Sequence, residues 1–369
     1  MRRIAIAVVA STMSLSLAGC GVLGASENSS SATPTRSDEL TVGVLMPEET
    51  NTRYADFDYP IIKKKVAELT QNKGTTEYAN ADGEARTQNT QMQKMIDDKV
   101  DVILLDAVDS KEIATLVQKA KDAKIPVIAY DRLAQGPIDG YVSFDNELVG
   151  EVQGRTLVEA ITNVEPSDKI VMMNGSPTDP NAGQFKAGAL SELNGRVTVA
   201  KSYDTDKWSP DVAQASMTKA IDALGVANIA GVYSANDAMA GGIIKALKAA
   251  GVTDADLPPI TGQDAELAAV QRIISGEQFM SVYKPYPGEA EAAAEAAVAK
   301  VQGRDLQFDA LTRDKVDSPT NKNIPAKLVP VVALTKDNIK TTVIADGIYK
   351  VSDICTAKFK AACQALRLI

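Results

Sequence analysis

The sequence predicts an α/β fold with two lobes, each a doubly wound parallel sheet. From Leu40 onward, short runs rich in β-branched residues alternate with longer stretches whose apolar residues recur every three or four positions. The strand-like runs are almost continuously apolar, as in VDVILLDA (100–107), which is typical of parallel strands covered by helices on both faces. A length of 369 residues suits two cores better than one.

Two series of such units follow each other along the chain. The first series has predicted strands at 40–46, 75–81, 100–107, 126–131 and 141–145, and predicted helices at about 54–71, 84–98 and 110–123. The second series has predicted strands at 169–175, 197–203, 229–235, 258–263 and 278–284, with helical patterns between them. A helix rich in Ala and Glu is predicted at 287–302, a strand at 327–335 and a short helix from about Asp337. Two series of four or five units predict one parallel sheet in each lobe.

The first twenty residues have the pattern of an export signal. Arg2 and Arg3 precede an apolar run at 4–17 that is too short for a stable membrane span. The run ends in LAGC (17–20), which resembles a bacterial lipobox and predicts that Cys20 becomes the lipidated first residue of the mature chain. The alternative is an ordinary cleaved signal with an incidental cysteine.

A flexible tether and an acidic surface are expected of the mature chain. Residues 21–39 are rich in Ser, Gly, Ala and Thr and lack the apolar area needed to fold, so they predict a tether close to a membrane. Loss of the two arginines of the signal leaves 37 basic and 48 acidic residues, a net charge of −11. Such a charge argues against nucleic acid or an anionic lipid surface as the partner.

Histidine and cysteine usage restricts the chemistry. The chain has no histidine, which excludes Ser-His-Asp and Cys-His catalysis and removes the commonest ligand of catalytic zinc, so we expect no metal and no cofactor. Cys355 and Cys363 are predicted to form a disulfide outside the cytoplasm. A continuous helix would separate them by about 12 Å, so the helix must bend or end between them.

Polar side chains follow strand after strand in both series. Ligands of open parallel sheets bind beyond the carboxyl ends of the strands, so these side chains are candidate binding residues. They are Arg53, Tyr54, Asp131, Arg132, Asp179, Asn181, Trp208, Asn236, Asp264 and Lys284. Together they mix acceptors, donors and amides with an aromatic ring, as the hydroxyls and the C–H face of a sugar require.

Each candidate also has a structural explanation when it is taken singly. Asn236 and Asp264 precede helical stretches and suit helix N-caps, and Asp237 suits a structural role. An isolated Arg or Lys suits the solvated surface, and a lone Trp suits a core. The binding interpretation depends on the joint pattern, in which the candidates fall at the same end of successive strands.

Six short motifs carry a family resemblance. They are YDR (130–132), SFDNE (143–147), GSP (175–177), NDA (236–238), GQD (262–264) and VYKP (282–285). In order and spacing they resemble the landmarks of bacterial periplasmic xylose-binding proteins and of the multi-sugar-binding proteins close to them, from about Leu40 to Lys350. The resemblance implies a type I periplasmic binding protein, with two Rossmann-like lobes, three hinge crossings and a sugar bound between the lobes.

The resemblance also implies lobe boundaries and ligand contacts. The first lobe would comprise 40–146 and 285–327, and the second 147–284 and 328–369, with crossings near 146, 285 and 328. The implied ligand contacts are the ten candidates named above. Two departures from the family pattern are Tyr54, where xylose binders tend to have Trp, and Lys186, which replaces a common Arg. The tail with its two cysteines lies beyond the resemblance.

The expected function is capture of a monosaccharide, xylose or a related aldose such as glucose, by a lipid-anchored monomer outside the cytoplasm. Hinge closure would trap the sugar, and the closed form would dock on an ABC importer permease. One alternative is a sensor that docks a receptor kinase. Another is a carbohydrate-active enzyme, although no dinucleotide or Walker A motif is present. A quorum-signal or nucleoside binder of this fold would need different binding groups.

Overall fold

Strands and helices alternate through residues 37–369, the part of the chain that the computed structural model describes. The strands are β1 (Thr41–Met46), β2 (Thr75–Asn80), β3 (Val102–Leu105), β4 (Val127–Tyr130), β5 (Gly140–Phe144), β6 (Lys169–Asn174), β7 (Thr198–Asp204), β8 (Gly231–Ser234), β9 (Ser281–Tyr283), β10 (Asp314–Val316), β11 (Ile324–Val329) and β12 (Val332–Leu334). The helices are α1 (Tyr59–Leu69), α2 (Ala85–Asp97), α3 (Ala114–Asp122), α4 (Asn146–Ala160), α5 (Pro180–Leu193), α6 (Pro210–Leu224), α7 (Asp237–Ala249), α8 (Leu267–Ser275), α9 (Tyr286–Val301), α10 (Asp305–Leu311), α11 (Val351–Ile354) and α12 (Lys360–Ala365). A single π-helical turn, Tyr54–Asp58, precedes α1.

The first lobe is built on a seven-stranded sheet in the order β10-β11-β5-β4-β3-β1-β2. All of its neighbouring strands are parallel except the pair β10–β11. Successive residues of β1, which lies between β3 and β2, contribute to different cores, because strand side chains alternate between faces. Val44 packs in a cluster with Ile62 of α1 and the alanines of α9, whereas Leu45 packs with Met92 of α2 and Val117 of α3. This double burial explains the continuous apolar runs.

The second lobe has a smaller parallel sheet than the sequence predicts. Three parallel strands lie in the order β7-β6-β8, and β9 pairs antiparallel with β12 in a separate two-stranded sheet. The strand predicted at 258–263 is wrong. This segment forms only two isolated bridges, from Ile260 to Val232 and from Gln263 to Val282. Pro258 and Pro259 supply no N–H groups for a ladder.

Helices α4 and α5 approach each other closely in the second lobe because glycine lines their contact. A Cβ atom at Gly150 of α4 would lie 2.0 Å from the carbonyl oxygen of Phe185, and one at Gly188 of α5 would lie 2.0 Å from that of Glu147. No side chain fits in such a gap, so any substitution at either glycine must push the helices apart. This packing fixes the start of α5, which carries site residues.

Three chain crossings join the lobes. The first runs from β5 into α4 at Asp145, and the second runs from β9 into α9 through Lys284 and Pro285. The third lies at Pro330, because Leu328 and Val329 still pair with β5 of the first sheet. The boundary predicted at 327/328 therefore falls two residues early. Pro330 also divides the predicted strand at 327–335 into β11 and β12, since it lacks the N–H that a continuous strand needs.

The C-terminal tail folds back onto α8 and β9. Cys355 and Cys363 form a disulfide with a Cα–Cα distance of 5.8 Å. The chain leaves helical geometry between them, since α11 ends just before Cys355 and α12 begins at Lys360. Buried tail residues such as Ile354 and Cys363 share one core cluster with α8 and β9. The predicted short helix from Asp337 is a single 3₁₀ turn at Ile339–Thr341.

The N-terminal predictions fall mostly on residues that the structure leaves undescribed. Cys20, the predicted signal and the predicted tether up to 36 lie outside the described residues. The last predicted tether residues are attached to the first lobe, because Nε2 of Gln302 donates to Ser37 O at 3.1 Å and to Asp38 Oδ1 at 3.0 Å. Within 37–369, the helices are all too short or too polar to cross a membrane.

Candidate functional site

A cavity lies between the two lobes, at the carboxyl ends of the strands. Residues from both lobes line it: Glu48, Asn51, Tyr54, Asp131, Arg132, Asp179, Asn181, Phe185, Trp208, Asn236, Gln263, Asp264 and Lys284. Nine of the ten predicted contacts are in this set, and Arg53 is the exception. The strand-end rule thus brings together side chains that are up to 230 positions apart in sequence.

Arg53 lies behind the cavity wall, and all three nitrogens of its guanidinium donate to carboxylates. Its Nε donates to Asp58 at 2.8 Å, one terminal nitrogen donates to Asp131 at 2.9 Å, and the other donates to Glu289. The guanidinium also lies 4.7 Å from the ring centroid of Tyr286. A buried cation needs such partners. Arg53 was predicted to contact the ligand directly, but in the structure it holds Asp131 in place instead.

Asp131 accepts hydrogen bonds from three side chains of the site. Its Oδ2 accepts from Arg53 and, at 3.3 Å, from Nζ of Lys284, while its Oδ1 accepts from Nδ2 of Asn181 at 3.1 Å. Burial disfavours the charged form, but the cations Lys284, Arg53 and Arg132 outweigh burial and lower the pKa of Asp131 to about 2. Asp131 is therefore an ionised acceptor throughout the physiological range.

Asp264 closes a second polar link across the cleft. Its Oδ2 accepts from Nδ2 of Asn51, in the first lobe, at 2.9 Å, and its Oδ1 lies 3.3 Å from Nζ of Lys284. Asp264 has a positive φ of 95°, a conformation that Asp tolerates better than most residues. Lys284 thus bridges Asp131 and Asp264, one carboxylate from each lobe.

Arg132 organises the opposite wall of the cavity. One terminal nitrogen donates to Oε1 of Glu48 at 2.5 Å, and Nε lies 2.9 Å from Oδ2 of Asp179 in the second lobe. Burial raises the pKa values of Glu48 and Asp179, and the charge of Arg132 offsets part of that effect at both. The same oxygen of Asp179 accepts from Nε1 of Trp208 at 3.2 Å.

Trp208 needs a glycine opposite its ring. A Cβ atom at Gly175 would lie 2.0 Å from the far edge of the indole, so the GSP motif makes room for the ring. The backbone of Trp208 adopts a positive φ of 56° at the end of a 3₁₀ turn, and its side chain is 5% exposed. The ring of Phe185 packs against the indole edge to face, with centroids 6.2 Å apart.

Two site residues are helix caps as well. Oδ1 of Asp179 accepts from the backbone N–H of Asn181 at the start of α5, and Oδ1 of Asn236 accepts from that of Met239 in α7. At these two positions, a structural role as a helix cap and a role in the cavity wall are therefore compatible. Capping fixes each side chain at the cavity wall, so little conformational entropy remains to be lost on binding.

Four lining residues escaped the sequence analysis. Glu48 and Asn51 lie in the segment PEETNTRY that follows β1, where only its last two residues were chosen. Gln263 directly precedes Asp264 in the GQD motif, so taking every polar residue after each strand finds three of the four. Phe185 is one turn into α5, and no polar or strand-end signal marks it.

Some acceptors on the wall are buried without a partner among the described residues. They include Oδ1 of Asn181 and Oε1 of Gln263. An unpaired buried acceptor is costly, so these atoms suit a ligand that donates hydrogen bonds. Within residues 37–369, no group of three or more His, Cys, Asp or Glu side chains is arranged to hold a metal ion.

Comparison with known proteins agrees with this geometry. The model of the periplasmic binding protein domain matches residues 42–305, which include parts of both lobes and all thirteen cavity-lining residues. The chain belongs to the periplasmic binding protein family. The fold of this binding protein is the type I arrangement, and its family implies a location outside the cytoplasm and partnership with an ABC transporter.

Relatives of the binding protein include named sugar binders. The D-xylose-binding periplasmic protein of Escherichia coli (strain K12) is 37% identical over 281 residues, covering 74% of this chain and 82% of the relative. The multiple sugar-binding periplasmic receptor ChvE of Rhizobium radiobacter is 30% identical over 339 residues, covering 86% and 93%.

Solved structures with the same fold contain sugars. An ABC transporter solute-binding protein from Clostridium phytofermentans, with bound β-D-glucose, superposes with a TM-score of 0.76 and 26% identity, covering 85% of this chain and 99% of the other. A carbohydrate transporter solute-binding protein from Chloroflexus aurantiacus, in complex with D-glucose, gives 0.73 and 26%, covering 85% and 97%.

Proposed function

We propose that the protein binds one monosaccharide, xylose or a related aldose such as glucose, and delivers it to an ABC importer by hinge closure. The observation that carries this proposal is the cavity between the lobes. It is lined by buried donors, acceptors and an aromatic ring drawn from both lobes. The names of the relatives and the sugars in the solved neighbours support the same ligand class.

The charge of the cavity favours a neutral ligand. Four carboxylates line it, Glu48, Asp131, Asp179 and Asp264, against the cations Arg132 and Lys284. This excess of negative charge disfavours phosphorylated or acidic sugars. Neutral hydroxyls, which donate and accept, match it better.

The contact set also suffices for a useful affinity. A micromolar dissociation constant corresponds to about −8 kcal/mol. A hydrogen bond to a charged group contributes roughly 1.5–3 kcal/mol. A handful of bonds to the charged residues of the cavity and one contact with the Trp208 ring therefore reach that value.

Contacts across the cleft support hinge closure as the mechanism. Arg132 pairs with Asp179, Asn181 donates to Asp131, and Asn51 donates to Asp264, each pair joining the two lobes beside the cavity. A sugar held in this cavity contacts both lobes at once, so it binds the closed form more tightly and shifts the population toward it. The closed form is then the one that docks on the permease.

Binding without chemistry fits the pairing of the carboxylates. A glycosidase needs one carboxyl group with a raised pKa that is free to donate a proton beside an ionised partner. Burial raises the pKa values of Glu48 and Asp179, but both groups are paired with Arg132, whose charge favours their ionised forms. We propose further that the protein acts as a monomer and is anchored through lipid on Cys20.

A thermal-shift screen over monosaccharides tests the proposed function. D-xylose or D-glucose at about a thousand times its dissociation constant adds roughly 4 kcal/mol to the native state and raises the melting temperature. The sugar is recovered unchanged after prolonged incubation. Absence of a shift with every aldose, or conversion of the sugar to a product, contradicts the proposal.

A further inference from the structure

A second cavity adjoins the monosaccharide cavity. Glu48, Arg132 and Trp208 line both spaces, so they form the wall between them. We call the first space the inner cavity and the second the outer cavity. The outer cavity is the larger of the two and lies between the same two lobes.

The outer cavity adds two loops of the first lobe that the monosaccharide cavity does not use. The first lobe contributes the turn before α2, including Glu84 and Ala85, and the loop after β3, including Asp109. The second lobe contributes Thr178 and the loop that carries Asp206. Groups from both lobes thus face a ligand here as they do in the inner cavity.

Contacts between the two lobes also shape the outer cavity. Oγ1 of Thr178 donates to the carbonyl oxygen of Val108 in the other lobe at 3.1 Å. Lys207 pairs with Glu84 across the cleft, and both side chains are more than half exposed. An ion pair so exposed to water is weak, so it can open to admit a larger ligand at little cost.

The chemistry of the outer cavity resembles that of the inner one. It offers the hydroxyls of Ser176 and Thr178 and the carboxylates of Asp109 and Asp206. Trp208 also lines the space, and its aromatic ring is of the type that suits the C–H face of a sugar. Carboxylates again outnumber cations, which disfavours an anionic substituent.

We propose that the outer cavity is a second subsite, so that the protein binds a disaccharide as well as a monosaccharide. This inference rests on the proposed function, because one ring of the disaccharide occupies the inner cavity. The second ring occupies the outer cavity, beside Trp208 and the loops after β2 and β3. The ligand class is thus a neutral disaccharide of the aldose that the inner cavity accepts.

Calorimetry with matched sugars and one cavity-filling variant tests the subsite. The probes are D-xylose with xylobiose, and D-glucose with cellobiose and maltose. At least one disaccharide is expected to bind the full mature chain within about tenfold of its monosaccharide, a difference of about 1.4 kcal/mol. Ala85→Trp fills the outer cavity alone and should weaken that disaccharide by about tenfold or more while the monosaccharide is unchanged.

Ala85→Ser is the matched control, since it alters the same position without filling the space, and it should bind both sugars as the wild type does. Retained monosaccharide binding shows that Ala85→Trp is folded. The subsite is overturned if no disaccharide binds, or if a disaccharide binds equally well to wild type and Ala85→Trp. Failure of both monosaccharides to bind overturns the proposed function, which is a different result.

Discussion

Asp131 and Asp264 hold the two halves of the proposed site together through one lysine. Lys284 lies 3.3 Å from a carboxylate oxygen of each, and the two acids come from different lobes. Burial of three charged groups is tolerated because each has opposite charges or amides beside it. The same groups are the strongest hydrogen-bonding partners that the cavity offers a sugar.

Asp264→Ala should weaken monosaccharide binding by roughly tenfold to a thousandfold, because a ligand hydroxyl and the amide of Asn51 both lose a charged acceptor. Asp264→Asn keeps one acceptor and tolerates the positive φ better, so its loss should be smaller. Calorimetry measures both. Asp211→Ala makes the same change at an exposed position of α6 and should bind as the wild type does. Unchanged affinity in Asp264→Ala would place the site elsewhere.

Trp208 is the only tryptophan in the chain, so its fluorescence reports on the cavity directly. Addition of the sugar should change the emission of the wild type, because the ligand replaces water beside the indole. Gly175→Ala should displace the ring and weaken binding, since its Cβ would overlap the indole. Emission that stays constant through a titration in which calorimetry shows saturation would exclude Trp208 from the site.

Sequence patterns located the site but did not orient its side chains. The rule that ligands bind at strand ends found nine lining residues, because the parallel topology brings all strand ends to one edge. It could not show that Arg53 points away from the cavity. That outcome depends on Asp58 and on Glu289, which is 236 positions away and supplies a buried counter-charge. Long-range charge pairing leaves no local signal in the sequence.

At the scale of elements, apolar runs predicted the buried strands well, and the strand predictions that failed contain proline. Strands such as β3, buried on both faces, need continuous hydrophobicity, so the pattern is unambiguous. Pro258 and Pro259 prevent the strand predicted at 258–263, and Pro330 moves the third crossing. The position of a sheet boundary depends on which strand supplies the hydrogen bonds, and periodicity carries no information on that.

The tail disulfide should stabilise the second lobe modestly. Cys355 and Cys363 are eight positions apart, and closing so short a loop contributes roughly 2–3 kcal/mol to the free energy of unfolding. Urea denaturation with and without reductant measures this contribution. A variant with both cysteines replaced by alanine is the control, because reductant should not change its stability. Two titratable thiols in wild-type protein purified without reductant would contradict the pairing.

At the scale of the whole molecule, the chain should be tethered to a membrane through its N-terminus. The sequence LAGC (17–20) predicts cleavage before Cys20 and acylation of that residue. Cys20→Ala should move the protein from the membrane fraction to the soluble fraction, and mass spectrometry should show the lipid on the wild type only. A variant that stays with the membrane, together with an unacylated wild type, would contradict this prediction.

Movement of the lobes is the central claim of the account, and small-angle X-ray scattering tests it most directly. The two lobes are joined by three crossings, and the closed cleft is held by polar pairs that surround the cavity. Without sugar, hydration of the polar walls favours opening. Saturating D-xylose or D-glucose should therefore reduce the radius of gyration of the mature protein. A radius of gyration that stays the same at a sugar concentration that saturates calorimetry would contradict hinge closure.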